Sequence, residues 1–480
     1  MIKVEDLLSN PDMLINESKL LVDSLIDISK NNDIPCEFVD LNNKTNYGVA
    51  VVADSGNYIP FVAWLGNVTA DSKYFLWANK KARHIIHNFQ MPNGLFLTDY
   101  NTSKKECPKQ TNYRLFDADK MSDVILGINL MYMITKDNFY LFSSRKFFDG
   151  FSKNFLSDEG YIYFGIYPSL FKIPLHIGNF SGVYIEEVLN LYEFTNEKNY
   201  LDLANRMISP WLNNEFFKSE GLFPFACTKS YLNFATKLLF KNKTSFSFET
   251  AVMTKCNTNL VDSLVSTNFI LCREDINDAL NKWVDNVKIK LYRDGVLYSV
   301  WSKNDKYNIH YLASERGVID SLLEVYRLIG NNSTIEFAQA LVDSILSRQT
   351  ESGLIPEIVH DYDTNLLNDK MLNLSRLSTN ISWLDTQNDI TVTLLKIYEL
   401  TNNKKYLDSA LSILCGILNN HKHDNFYVEF VDTKNLEKKS YVVRTKILFL
   451  LNKLFLLADY VLKGNKIYGN RYVQNIIRDR

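Results

Sequence analysis

Acidic, basic and aromatic residues gather in seven short segments of this 480-residue chain. They read "VADSGNY" (52–58), "NYRLFDADKMSD" (112–123), "PLHIGNFSG" (174–182), "TKCNTN" (254–259), "NIHYLASERG" (308–317), "SWLDTQND" (382–389) and "SYVVRTK" (440–446). Two of them set carboxylates at i and i+4, Asp119 with Asp123 and Asp385 with Asp389, hence on one face if each segment opens a helix. Like charges held close raise one another's proton affinity, which suits a general acid, while an ionised neighbour can serve as base. Asp54 is the next candidate. The competing use is structural, because Asp is a preferred N-cap and is favoured throughout a first helical turn.

His176 and His310 hold matching positions in their segments, and Glu315 and Arg316 follow His310. These four are candidate substrate contacts, as are Asp389, Tyr113, Arg114 and Trp383. Trp383 offers a ring for stacking, and Arg114, Arg316 and Arg444 could grip a carboxylate with two hydrogen bonds. Each arginine could equally pair with one of the aspartates. No two histidines have ligand spacing in these segments and the six cysteines form no C-x-x-C pair, so no metal and no cofactor is expected.

The elements that must carry these segments repeat. "LYEFTNEKNYLDLA" (191–204) and "IYELTNNKKYLDSA" (397–410) share one grammar: a helix ends in Tyr-Glu-x-Thr-Asn, a polar turn follows, and Lys-x-Tyr-Leu-Asp opens the next helix. A glycine and a short apolar strand close each unit, as in "NGLF" (93–96), "EGLF" (220–223) and "SGLI" (352–355). First helices are predicted near 56–67, 119–135, 181–195, 257–270, 313–328, 386–400 and 442–461. Second helices are predicted near 12–31, 71–89, 138–153, 198–214, 273–290, 332–348 and 404–419. The period of about 60–70 residues exceeds that of open helical solenoids. An all-α, closed α/α toroid with short strands in its loops fits better, as one domain over 1–480, with helix 12–31 closing the ring against helix 442–461. Residues 463–480 read as a basic, solvated tail. Six or seven hairpins are compatible with the pattern, 257–290 being the weakest.

This alternation, with its "LYEFTNEKNYLDLA" hairpins and "GLF" returns, resembles the six-hairpin glycosidase superfamily, the (α/α)6 toroids. The stretch 122–148 is similar in rhythm to unsaturated-glucuronyl hydrolases. The resemblance implies that the loops entering the inner helices surround a funnel holding the active site. It also implies a glycoside hydrolase acting on an oligosaccharide, uronate-containing chains included, through a pair of carboxyl groups. Asp119 and Asp385 are the expected acid/base pair, with Asp54 next. A sugar epimerase or polysaccharide lyase, and a non-catalytic toroid that binds a glycan or protein, are the alternatives.

A net charge of −2 carries no signature of nucleic-acid binding. The N-terminus places acidic residues and a proline where a signal peptide needs an apolar run, and no window offers a membrane span, so a cytoplasmic protein is expected. Oligomeric state leaves no mark on the sequence.

Overall fold

Two kinds of helix alternate in the computed structural model, and burial separates them. The structure describes residues 1–100, 116–166, 172–173, 175–228, 251–293, 295–302, 309–361 and 380–467. Helix α3 (Val52–Thr69) is buried nearly all round, whereas α4 (Ser72–Phe89) buries a stripe through Tyr74, Ala78, Ala82, Ile85 and Phe89. The first pattern is that of a helix walled in by others, the second of a helix with one face to water. A short α1 (Val4–Ser9) and α2 (Asp12–Ile28) precede them.

Further along come α5 (Ala118–Thr135), α6 (Asn138–Asn154), α7 (Gly178–Thr195), α8 (Lys198–Leu212) and α9 (Glu215–Glu220). Then follow α10 (Thr254–Leu271), α11 (Glu274–Asn286), α12 (Leu312–Ile329), α13 (Asn332–Leu346), α14 (Leu384–Thr401), α15 (Lys404–Gly416) and α16 (Thr445–Leu462). Among the described residues the inner helices α3, α5, α7, α10, α12, α14 and α16 each run 18 residues. Each has an outer partner, α2 serving α16, so the described residues hold seven pairs and the weak segment 257–290 is a full one.

The repeated Thr-Asn is a turn device. Thr401 bonds back to the Ile397 carbonyl at 2.6 Å and accepts the Asn403 amide at 3.3 Å. Asn402 takes φ +52°, and the Asn403 side chain then caps α15 through the Lys405 amide at 3.1 Å. An inner helix thus stops in the left-handed region and the outer one starts two residues later. Thr69, Thr135 and Thr195 make the same two bonds.

Return strands, most of them after a turn glycine, close the hairpins with a ladder. Ile381–Trp383, which leads into α14, pairs antiparallel with Phe430–Asp432, which follows α15. Leu175–Ile177 before α7 pairs likewise with Ala226–Thr228 after α8. Gly353 shows why the turn needs glycine: φ is +86°, and a Cβ there would sit 2.1 Å from the Ser412 carbonyl oxygen of α15.

Contacts divide the chain into two compact units. Unit 1 comprises Met1–Gly150, Arg348–Pro356 and Asn380–Arg480; unit 2 comprises Phe151–Ser347 and Glu357–Thr379. Within unit 1 the inner helices stand in the order α14, α16, α3, α5. The two ends of the chain meet there, because α2 packs on α16, with Ser18 bonding Asn452 and Lys463 bonding Asp12 at 2.9 Å. Within unit 2 the order is α7, α10, α12. Among the described residues no helix is long and apolar enough to cross a membrane.

Candidate active site

Gly56 on α3 and Gly127 on α5 let two inner helices of unit 1 touch backbone to backbone. A Cβ on Gly127 would lie 2.1 Å from the Gly56 carbonyl oxygen, and one on Gly56 would lie 2.5 Å from that of Asp123. This contact brings Asp54, third residue of α3, towards Asp123, sixth residue of α5. Lys446, second residue of α16, enters between them. Its Nζ is 3.2 Å from Asp54 Oδ1 and 3.8 Å from Asp123 Oδ2, and the three side chains are 30 to 33% exposed. The two carboxylate oxygens are therefore at most about 7 Å apart, within the span of glycosidic pairs.

The two carboxylates are not equivalent. Burial pushes the Asp123 carboxyl up to about 6; the charges of Asp119 and Asp54 add to this, while Lys446 and a hydrogen bond from Asn57 oppose it. Burial works against the charge on Lys446, but Asp123, Asp54 and Asp385 outweigh it and hold the ammonium above its ordinary range. Lys446 is thus a fixed cation, closer to Asp54 than to Asp123. Asp123 is the group that can carry a proton near neutrality.

A second cluster adjoins on the entries to α14 and α16. Arg444 Nη2 lies 3.0 Å from Glu429 Oε1 and 3.8 Å from Asp385 Oδ2. The same Glu429 oxygen accepts the Trp383 indole N–H at 3.1 Å, and the Arg444 guanidinium lies 5.3 Å from the Trp383 ring centre. Sequence reasoning missed Glu429 because it hides in the apolar return "FYVEF". Its signal is position, since Glu357 ends the matching return "GLIPE" and the backbone carbonyl of each accepts the first amide of an inner helix, Glu429 from Leu384 at 2.9 Å and Glu357 from Leu312 at 3.0 Å.

Of the expected acid/base pair, Asp385 is half-buried beside Arg444, and Asp119 is exposed. Asp54 and Asp123 are the carboxylates that share the Lys446 ammonium. Capping belongs to Asp117, whose carboxylate accepts the Asp119 amide at 2.9 Å and the Lys120 amide at 3.4 Å. Burial and the Asp119 charge push its carboxyl up to about 6. Asp389 is half-buried one turn beyond Asp385. Tyr113 and Arg114 lie outside the described residues.

The other expected contacts belong to unit 2. His310 Nε2 meets Glu315 Oε2 at 2.5 Å with neither side chain exposed, and Glu315 Oε1 accepts the Leu297 amide at 3.2 Å. His176 is buried, its Nδ1 2.7 Å from the Ile162 carbonyl and its ring stacked on Tyr161. Arg316 pairs with Asp320 at 3.1 Å. These arrangements tie loops to helices and leave the two imidazoles no open face. Among the described residues no three His, Cys, Asp or Glu side chains gather so as to hold a metal ion.

No family model and no curated protein matches the chain. Solved structures do. The α-1,2-mannosidase from Trichoderma reesei superposes with a TM-score of 0.65 at 13% identity, covering 93% of each chain. A sugar epimerase from a ruminal bacterium gives 0.58 at 13% identity, over 80% of this chain and 96% of that one. A D-mannose isomerase gives 0.57 at 12% identity, over 93% and 97%. The fold is therefore the α/α toroid shared by these proteins.

Proposed function

We propose that the chain is a carbohydrate-active enzyme, a glycoside hydrolase that works through Asp123 and Asp54. Asp123 protonates the leaving glycosidic oxygen, and Asp54, 3.2 Å from the Lys446 ammonium, activates water or attacks the anomeric carbon. The observation that carries this reading is the pair itself: two carboxyl groups from different inner helices, one raised towards neutrality, straddle one cation at a partly open entry. The toroid fold supports it, since similar structures are named for a mannosidase, an epimerase and an isomerase.

The last two names also support a second reading, in which Asp54 moves a proton on a single sugar. Mass spectrometry after incubation with a panel of oligosaccharides and free sugars separates the two. Hydrolysis adds the mass of water and creates a new reducing end, whereas epimerisation leaves the mass unchanged. If the Asp54→Asn protein made product at the wild-type rate, neither reading would survive.

A further inference from the structure

We infer that this site takes an uncharged sugar at the bond it cleaves and discriminates against uronates, an inference that rests on the hydrolase reading of the same residues. Four carboxylates and two cations meet in the ion pairs of the site: Asp54 and Asp123 on Lys446, Asp385 and Glu429 on Arg444. Each cation is shared by two carboxylates, so neither has charge left for a ligand. With one of the four carboxyl groups protonated for catalysis, three carboxylates still share the two cations of these ion pairs among the described residues.

A substrate carboxylate would have to compete with Asp54 and Asp123 for Lys446, and with Asp385 and the buried Glu429 for Arg444. Glu429, 3% exposed, makes displacement costly for Arg444: it holds the Arg444 Nε at 3.1 Å, its Nη2 at 3.0 Å and its backbone amide at 3.3 Å. A hydroxymethyl group in the same place asks for nothing beyond ordinary hydrogen bonds.

The test uses matched oligosaccharides that differ only in C6, hydroxymethyl against carboxylate, in gluco, manno and galacto series. In low salt the neutral member of the productive series is expected to show at least about tenfold higher kcat/KM, a gap that narrows as salt screens the site. Asp385→Asn, which removes one negative charge and loosens Arg444, is expected to shrink the gap severalfold. Equal or faster cleavage of the uronate member, or a gap that ignores both salt and Asp385→Asn, overturns the inference and leaves the hydrolase standing. If no series is cleaved, the hydrolase reading falls and NMR titration of the same sugars decides the charge question. Preferential binding of the neutral members then sustains it, and equal binding or none overturns it.

Discussion

Two inner-helix entries hold a carboxylate within ion-pair distance of a nitrogen base, and they use it differently. In unit 2, Glu315 and His310 are sealed from solvent. In unit 1, Asp54, Asp123 and Lys446 are each about one-third exposed. Position along the helix explains the contrast. Glu315 is fourth in α12, as Asn257 is in α10 and Gln387 in α14. Asn257 bonds both the amide and the carbonyl of Phe223, and Gln387 does the same to Ile355, each two residues past a turn glycine. Glu315 grips the amide of Leu297 at the matching place and gives its second oxygen to His310. Lys446, Asp54 and Asp123, at the second, third and sixth positions, point to a different side of the helix, since two residues turn it by roughly 200°. The fourth position closes the repeat, and the others are left for chemistry.

The widest separation between the two regions is expected in turnover. Asp54→Asn and Asp123→Asn should each lower kcat/KM by about 10²–10⁴ on the identified substrate, with a melting temperature close to wild type. Glu315→Gln should leave kcat/KM nearly unchanged. The reverse pattern would move the chemistry to unit 2.

Stability should invert the ranking. Glu315→Ala strands a buried histidine and an unbonded amide and is expected to cost about 3–5 kcal/mol. Glu315→Gln restores the group that Gln387 supplies in its own repeat and should cost within about 1 kcal/mol. Urea unfolding of both variants checks this, and equal losses would show that charge, not shape, matters at that position.

Acidity gives a third contrast. Asp123 acts protonated, so kcat/KM should fall as pH rises through about 6. Because its folded value lies above the unfolded 3.8, the stability it contributes at low pH is lost as pH rises across the same window. Lys446 opposes the upward shift, so Lys446→Met should move the alkaline limb of the rate profile to higher pH, by about one unit or more. An unmoved limb would assign the titration to another group.

Much of this was legible in the sequence, and the illegible part has a physical reason. Every predicted helix exists, with ends displaced by a few residues, because Thr-Asn stops, polar caps and glycine returns are local signals. Asp54 and Asp123 stood among the candidates, but so did Asp119, Glu315, Asp385 and Asp389. What selects the pair is the approach of α3 to α5, which depends on Gly56 and Gly127, residues whose lack of a side chain gives no chemical signal. Lys446 and Arg444 lie some 390 residues beyond Asp54 in the chain. Lys446 meets it only because α16 packs beside α3.

That dependence on close approach yields the smallest and most discriminating prediction. Gly127→Ala drives a methyl group into the Gly56 carbonyl, where the gap is 2.1 Å, so α3 and α5 must part. Overpacking of this kind costs about 1–3 kcal/mol. The same displacement shifts Asp123 relative to Asp54 and Lys446, and misplacement on the order of 1 Å can lower turnover by up to about 10²-fold. Gly353→Ala meets an equal 2.1 Å clash with the Ser412 carbonyl and a positive φ besides, but at an outer helix. It should destabilise at least as much while leaving kcat/KM per folded molecule unchanged. Activity and urea midpoints measured side by side decide the matter. If Gly353→Ala costs as much turnover as Gly127→Ala, general softening of unit 1 accounts for both. If only Gly127→Ala does, the backbone contact between α3 and α5 is what sets the carboxylate spacing.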